Sequence, residues 1–415
     1  MTMHELFTVL APADALARLV DGCSPIPRTE TVALEAGLGW VAAVDIPAAE
    51  TLPAFARATM DGYAVRSADT HGASEQSPAY LRLTGDIPTG VVPNVRVGER
   101  EAVRIHTGSM LPHGADAVVM VEDTNLHGHD VELLAAAAPG ENVLTVGEDI
   151  REGAVAVPAG RRLRAADLGG MAALGITSFT AVARPRIAIL STGDEVVPVH
   201  ATPGPAQVRD VNASTIAATV ERAGGIPVRR GIAPDRHDEL LLEARGGLAV
   251  ADALVLSAGS SVSVRDLTAE IVESLGAPGI LAHGIAIKPG KPTVLALCAG
   301  KPVIGLPGNP ASALVVAWRI VRPLVRLLGG EALADDTLGD ESFGATLDLP
   351  VPSRPGREDY VPCTLARDAA GELHATPIFG ASNLIFTLVR SDALIAVPLD
   401  RSGLGAGERV TVIVP

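Results

Sequence analysis

Arg186-Ile-Ala-Ile-Leu-Ser-Thr-Gly-Asp-Glu195 decides the fold. Ile187 to Leu190 is apolar at every position, without polar alternation, so a strand here is buried on both faces. The run then ends on two hydroxyls, a glycine and two carboxylates, for which a core strand has no use. The same texture recurs downstream. Ala253-Leu-Val-Leu256 and Pro302-Val-Ile-Gly-Leu306 are apolar runs, and Ile226 to Gly231 and Thr293 to Ala296 also read as strands. Helical stretches stand between and after them, at Asn212 to Ala223, Asp238 to Gly246, Leu267 to Leu275 and Ala311 to Leu328. Asp210 or Asn212 caps the first of these, and Gly224-Gly225 closes it. Buried strands alternating with helices predict a parallel sheet covered on both sides, a doubly wound α/β domain.

Upstream the pattern differs. Residues 5 to 20 have apolar residues at helical spacing and end near Gly22. Val32 to Val44 begins a second helical stretch, interrupted by glycines. From Asp45 to about Arg151, short Val/Ile/Leu-rich strands between Gly, Pro and Asp turns predict a β-rich domain, of small-barrel type. Residues 152 to 183 hold a strand, a turn at Pro158-Ala-Gly160 and a helix from Ala165 to Leu174. After Gly329-Gly330 comes a Glu/Ala/Asp-rich linker and a second β-rich region, 345 to 415, with alternation as in Val410 to Val414. The fold class is therefore multidomain, α/β plus β.

At 415 residues the chain exceeds one compact core, and its 47% hydrophobic and 20% charged residues are a globular composition. Aromatics are only 3%, so the cores are built from Ala, Val, Leu and Ile. A net charge of −15 argues against nucleic acid as the main partner, though a local basic pocket is compatible with it. Cys23, Cys298 and Cys363 are too widely spaced for a disulfide framework or zinc site and read as buried small hydrophobes. No apolar run approaches the roughly 20 residues of a membrane span. The N-terminus has no basic stretch followed by an apolar one, so no signal peptide is expected and the cytoplasm is the expected compartment.

In doubly wound sheets, ligands bind beyond the C-terminal ends of strands. Four segments there carry chemistry. Ser191, Thr192, Gly193, Asp194 and Glu195 follow the first core strand. Gly259, Ser260, Ser261 and Ser263 lie in a hydroxyl-rich loop whose amides and side chains can form an anion nest. Lys288-Pro-Gly-Lys291 offers two ammonium groups on one turn. Pro307, Gly308, Asn309 and Ser312 open the last helix, whose N-terminus favours a phosphate. Singly, each is what many strand-to-helix turns carry. Together they predict a site for a phosphorylated, anionic ligand.

Seven runs, taken in order, resemble a known family: Ala58-Thr-Met-Asp-Gly-Tyr-Ala-Val65, Arg104-Ile-His-Thr-Gly108, Gly114-Ala-Asp-Ala-Val118, Gly147-Glu-Asp149, Ser191 to Glu195, Lys288 to Lys291 and Leu306 to Ser312. They resemble the molybdopterin molybdenumtransferases of MoeA type, a family shared with the gephyrin E domain. The resemblance implies the final step of molybdenum cofactor biosynthesis: molybdate is inserted into adenylylated molybdopterin and AMP is released. It also implies a homodimer and dependence on Mg²⁺, and other cofactor-synthesis proteins as partners. The implied domains are a small linking α/β domain (23–49 and 150–183), a projecting β domain (50–149), a molybdopterin-binding domain (1–22 and 184–329) and a C-terminal β domain (330–415).

By the same resemblance, Glu195, Asp61 and Thr107 are catalytic, with Asp61 and Thr107 reaching the other subunit's site; Asp235 is expected as a further catalytic carboxylate. Lys288, Lys291, Arg357 and Ser382 are expected to meet molybdate, a tetrahedral dianion that calls for Arg, Lys and hydroxyl donors. Glu195, Asp235, Asp266 and Asp149 are the carboxylates available to a divalent cation, which is held through one or two carboxylates plus substrate phosphates. The chain departs from the family after the second core strand. Ser260-Ser261 replaces glycine, Arg265 stands where a glycine is usual, Asp266 falls two residues early, and a tyrosine is missing. Either the loop is rearranged with its role kept, or the substrate preference has moved. A scaffold that binds the pterin without turnover and a molybdopterin adenylyltransferase are the alternatives. The intact Asp61, Thr107, Glu195, Lys288 and Lys291 weigh against the first, and the extra β domains against the second.

Overall fold

The computed structural model describes residues 9–257, 262–332 and 341–414, without the side chains of 262–266 and 341. Helix α1 (Pro12–Asp21) opens on a proline at its first turn, where the missing N–H costs nothing, and stops at Gly22. Within the described residues it therefore begins later than its apolar spacing predicts. The helix expected from Val32 is absent. Thr29–Ala33 is a strand paired with Ser178–Val182, followed by one short 3-10 turn, Leu34–Ala36. Alternating Thr29, Thr31 and Ala33 suit a pleated edge, and Gly37 and Gly39 disfavour a helix beyond it.

The projecting region forms a six-stranded mixed sheet from β1 (Gly62–Val65), β2 (Ala79–Ile87), β3 (Glu101–Ile105), β4 (Ala117–Met120), β5 (Thr124–His127) and β6 (Asp130–Leu133). Its order is β4-β1-β3-β2-β6-β5. The end strands β4 and β5 do not pair, so no ladder closes the sheet; it curls around one core shared by Tyr63, Leu81, Ala102, Val119 and Leu133, an incompletely closed form of the expected small barrel. Each end strand has four residues, and the Val121–Asp123 turn between them carries the chain to the opposite edge.

After helix α2 (Ala165–Ala173) comes the central sheet: β7 (Arg186–Thr192), β8 (Ile226–Ala233), β9 (Ala253–Ser257), β10 (Pro278–His283), β12 (Val294–Cys298) and β13 (Lys301–Leu306), with β11 (Ile287–Lys288) lying apart from it. The order is β8-β7-β9-β13-β12-β10. β7, β8, β9 and β13 are parallel, whereas β12 and β10 are antiparallel to their neighbours. The parallel sheet expected from the sequence is thus mixed at one edge. Ala299 (φ 50°) and Gly300 (φ 78°) make a two-residue turn between β12 and β13. A parallel pairing there would need a crossover of a dozen residues.

The faces of β7 explain its unbroken apolar run. Ile187 and Ile189 pack with Leu16 and Leu19 of α1, with Ile216 and Val220 of α3 (Asn212–Arg222), and with Val316 of α6 (Pro310–Val316) and Leu324 of α7 (Arg322–Leu328). Ala188 and Leu190 face the other way, onto Leu240 and Ala244 of α4 (His237–Val250) and Ile271 and Val272 of α5 (Val262–Glu273). Both faces are covered by helices, as doubly wound sheets require. The segment expected as one helix from Ala311 to Leu328 is α6 and α7 joined by a π turn, Ala317–Val321.

The C-terminal strands β14 (Glu341–Leu347), β15 (Glu358–Arg367), β16 (Leu373–Pro377), β17 (Ala393–Val397) and β18 (Arg409–Val414) close on themselves, because β15 pairs with both β16 and β17. β11 leaves the central domain to pair with β15 of this barrel, with Lys288 opposite Asp359. The three cysteines are unbonded, and burial pushes the thiols of Cys23 and Cys298 up to about 11 and Cys363 up to about 12. Among the described residues, no helix is long and apolar enough to cross a membrane.

Candidate active site

Two cavities lie at the C-terminal edge of the central sheet. The first, about 610 Å³, includes Ser191, Thr192, Glu195, Asn212, Ser257 and Gly308 in its wall. Gly193 turns the chain with φ 144°; a Cβ there would stand 2.8 Å from a carboxylate oxygen of Glu195. That backbone angle is what favours glycine here, at the turn from β7 to Glu195. The Thr192 hydroxyl is hydrogen-bonded to the Asp235 carboxylate. The Asp235 amide donates to Asp194 Oδ1 at 3.3 Å, so the two acidic loops are tied together.

Asp210, not Asn212, caps helix α3: its Oδ1 accepts from the Ala213 amide at 3.0 Å. That frees the Asn212 side chain. Its Nδ2 donates to Ser257 Oγ at 2.7 Å and to the Gly308 carbonyl at 2.9 Å, pinning three loops. Asn212 Oδ1 and Ser191 Oγ are buried without a protein partner. Buried polar atoms in that state favour a ligand that satisfies them.

The second cavity, about 840 Å³, lies between the central domain and the barrel. Its charged residues are Lys288, Lys291, Arg354, Arg357 and Asp359, four cations against one carboxylate. Asp359 is 1% exposed. It accepts from Arg357 Nε at 2.8 Å and Nη2 at 3.2 Å, and from Lys288 Nζ at 3.5 Å. Pro307 and Ser312 belong to this wall, Gly308 to the other cavity, and Asn309 to both. Asn309 Nδ2 donates to Ser382 Oγ at 3.1 Å, and the Ala311 amide to the Ser382 carbonyl at 3.1 Å, so the loop after β16 sits on the start of α6. The described loops of the sequence reading are thus divided: Lys288 to Lys291 leaves the sheet edge and faces the barrel.

Asp61 and Thr107 line neither cavity. They meet each other on the projecting sheet, where Asp61 Oδ1 accepts from the Thr107 amide at 2.7 Å and hydroxyl at 2.8 Å. These bonds hold the exposed carboxyl below the usual carboxylate range, with smaller help from the charges of His106 and Arg104. Gly62 is the first residue of β1; a Cβ there would lie 2.0 Å from the Val119 carbonyl oxygen. Asp149 also lines neither cavity, and its amide bonds the Leu52 carbonyl at 3.1 Å. Gly259, Ser260 and Ser261 lie outside the described residues, as do the side chains of Ser263 and Asp266. Among the described residues no group of three or more His, Cys, Asp or Glu is arranged to hold a metal ion by itself.

The sequence reading missed Asn212, Asp359 and Arg354. For Arg354 a signal existed: Arg354-Pro-Gly-Arg357 repeats the cation-Pro-Gly-cation pattern of Lys288-Pro-Gly-Lys291, and both turns face one cavity.

Three family profiles match in order along the chain: "MoeA N-terminal region (domain I and II)" at residues 10–175, "Probable molybdopterin binding domain" at 188–327 and "MoeA C-terminal region (domain IV)" at 344–414. A molybdopterin molybdenumtransferase of Nostoc sp. is 33% identical over 411 residues, covering 97% of this chain and 92% of the relative. One from Bacillus subtilis is 31% identical over 407 residues, covering 97% and 93%. Among solved structures, a molybdopterin biosynthesis moeA protein from Pyrococcus horikoshii superposes with a TM-score of 0.84 at 26% identity, covering 98% of this chain and 100% of that one.

Proposed function

The chain belongs to the molybdopterin molybdenumtransferase family, and on that premise we propose that it inserts molybdate into adenylylated molybdopterin and releases AMP. The observation that carries this reading is the meeting of two unlike cavities at Asn309. One is strongly cationic and suits a tetrahedral dianion. The other joins hydroxyl and amide groups to carboxylates, as a phosphorylated pterin and its activating metal require. We place molybdate among Lys288, Lys291, Arg357 and Ser382, and the pterin nucleotide against Ser191, Thr192, Asn212 and Ser257.

Glu195 lines the first cavity, and Asp235 stands behind its wall, bonded to Thr192; these two carboxylates would hold a magnesium ion that keeps waters and takes its other ligands from substrate phosphates. When bound, it supplies charge neutralisation at the breaking phosphoanhydride. The protein's own part is positional. The Asn212 amide fixes the loops after three strands, the buried Ser191 hydroxyl and Asn212 carbonyl give the ligand fixed partners, and the cationic turns hold the oxyanion close by. The adenylate leaves as AMP while molybdenum stays on the dithiolene sulfurs. Asp61 and Thr107, held in a fixed pair away from both cavities, suit a homodimer in which the projecting domain completes the partner's site. We take the domains as 23–49 with 150–183, 50–149, 1–22 with 184–329, and 330–415, and the working compartment as the cytoplasm.

The test is to incubate purified protein with adenylylated molybdopterin, Mg²⁺ and molybdate, following AMP and finished cofactor. Molybdate-dependent AMP release supports the proposal; tight pterin binding without AMP would leave a scaffold, and pterin adenylylation from ATP an adenylyltransferase. In the same assay, Asp61→Asn and Glu195→Gln subunits should each be inactive. Dissociated and mixed, they should recover about a quarter of wild-type activity, because half the dimers then carry one intact site. No recovery would confine each site to a single subunit.

A further inference from the structure

Lys288, Lys291, Arg357 and Ser382, the residues placed against molybdate, are all donors. Asp359 is the exception: a carboxylate in the wall of a site for an anion. Its charge repels the ligand, and at 1% exposure it carries a desolvation cost as well. Such a group persists where it does something that outweighs both. It accepts two nearly parallel bonds from Arg357, at 2.8 and 3.2 Å, and a third contact from Lys288 at 3.5 Å. These are two of the cations proposed to meet molybdate, one from the barrel and one from β11 of the central domain. Lys288 and Asp359 also stand opposite each other in the β11–β15 pairing. The Arg357 and Lys288 side chains are 31% and 57% exposed, so both are long, otherwise mobile groups with one buried anchor.

We propose that Asp359 is the positioning residue of the oxyanion cavity. It fixes the Arg357 guanidinium in one plane, with Nη1 and the outer edge left for the ligand. It also ties Lys288 across the domain boundary, so the donors are ordered before molybdate arrives. The inference rests on the assignment of molybdate to this cavity.

Two physical effects give opposite signs for Asp359→Asn. Charge alone, with four cations facing no carboxylate, predicts tighter anion binding. Positioning predicts weaker binding, because an amide cannot accept the paired guanidinium bonds and turns an N–H₂ group toward a cation. The measurement is calorimetric titration of molybdate, and separately of sulfate, into the full-length protein. Asp359→Asn should weaken molybdate binding about tenfold, the worth of a lost charge-assisted hydrogen bond, and should narrow the preference over sulfate. Binding of adenylylated molybdopterin should be unchanged, which separates a positioning role from general damage.

Arg357→Lys keeps the charge and loses the paired bonds, so it should weaken molybdate binding similarly; the double variant should be no worse than the weaker single one. Should Asp359→Asn fail to fold, Arg357→Lys alone still decides: molybdate binding equal to wild type overturns the proposal. Tighter or unchanged binding in a folded Asp359→Asn protein, or additive losses in the double variant, overturns it too. Wild-type protein that binds no molybdate would instead refute the assignment of the cavity.

Discussion

At the scale of single residues, the site is a set of side chains turned away from their commonest local roles. Asn212 heads a helix but leaves capping to Asp210 and reaches across the sheet edge to Ser257 and Gly308. Asp61 precedes a strand and spends its Oδ1 on the Thr107 amide and hydroxyl. Because both bonds favour the charged form, the folded-state pKa lies below the usual carboxylate value. Asp61 therefore protonates at a lower pH than an ordinary carboxylate does. Thr107→Val removes the hydroxyl bond but keeps the amide bond, so the Asp61 titration, followed by carboxyl NMR, should move upward toward the ordinary range. An unmoved midpoint would mean the hydroxyl bond contributes nothing in solution.

Asp61, Thr107 and Glu195 could be picked out from their motifs. Asn212 and Asp359 could not, because their importance lies in what they bond, 45 to 96 and 2 to 71 positions away, and a lone Asn or an Arg-Glu-Asp run reads as helix cap or solvated surface.

At the scale of elements, burial pattern predicted the central strands well and chain direction less well. The unbroken apolar run at Ile187 to Leu190 correctly implied helices on both faces, since its alternate residues enter separate cores. The same logic missed the antiparallel edge, because a strand buried on both faces looks alike in either direction; the Ala299-Gly300 turn held the missing information. Val32 to Val44 misled because apolar spacing outweighed the β-branched residues at its start. Gly62, which opens β1 after Asp61, has a packing reason to be glycine. With Val119 carbonyl oxygen 2.0 Å from any Cβ, Gly62→Ala must push β1 from β4. We expect a loss of about 1–3 kcal/mol, the usual cost of overpacking, measured as a lower urea midpoint at unchanged slope. A midpoint equal to wild type would show that the sheet yields without cost.

At the scale of the whole molecule, the candidate site is composite. The central sheet supplies Ser191, Thr192, Glu195 and Asn309; the barrel supplies Arg354, Arg357, Asp359 and Ser382. Two connections set the distance between them. Strand β11 leaves the central domain to pair with the barrel at Lys288, and the loop carrying Ser382 rests on the start of α6. The −15 net charge of the chain gave no hint of a cavity with four cations and one carboxylate, because composition averages over a surface that the fold does not. What the account asserts above all is that the oxyanion enters this cationic cavity while the pterin nucleotide occupies its neighbour across Asn309. Anomalous diffraction at the molybdenum edge, from crystals grown with molybdate, tests this most directly. The account predicts a peak within hydrogen-bonding reach of Lys288, Lys291 and Arg357. A peak confined to the cavity of Ser191 and Glu195, with none near Arg357, would contradict it.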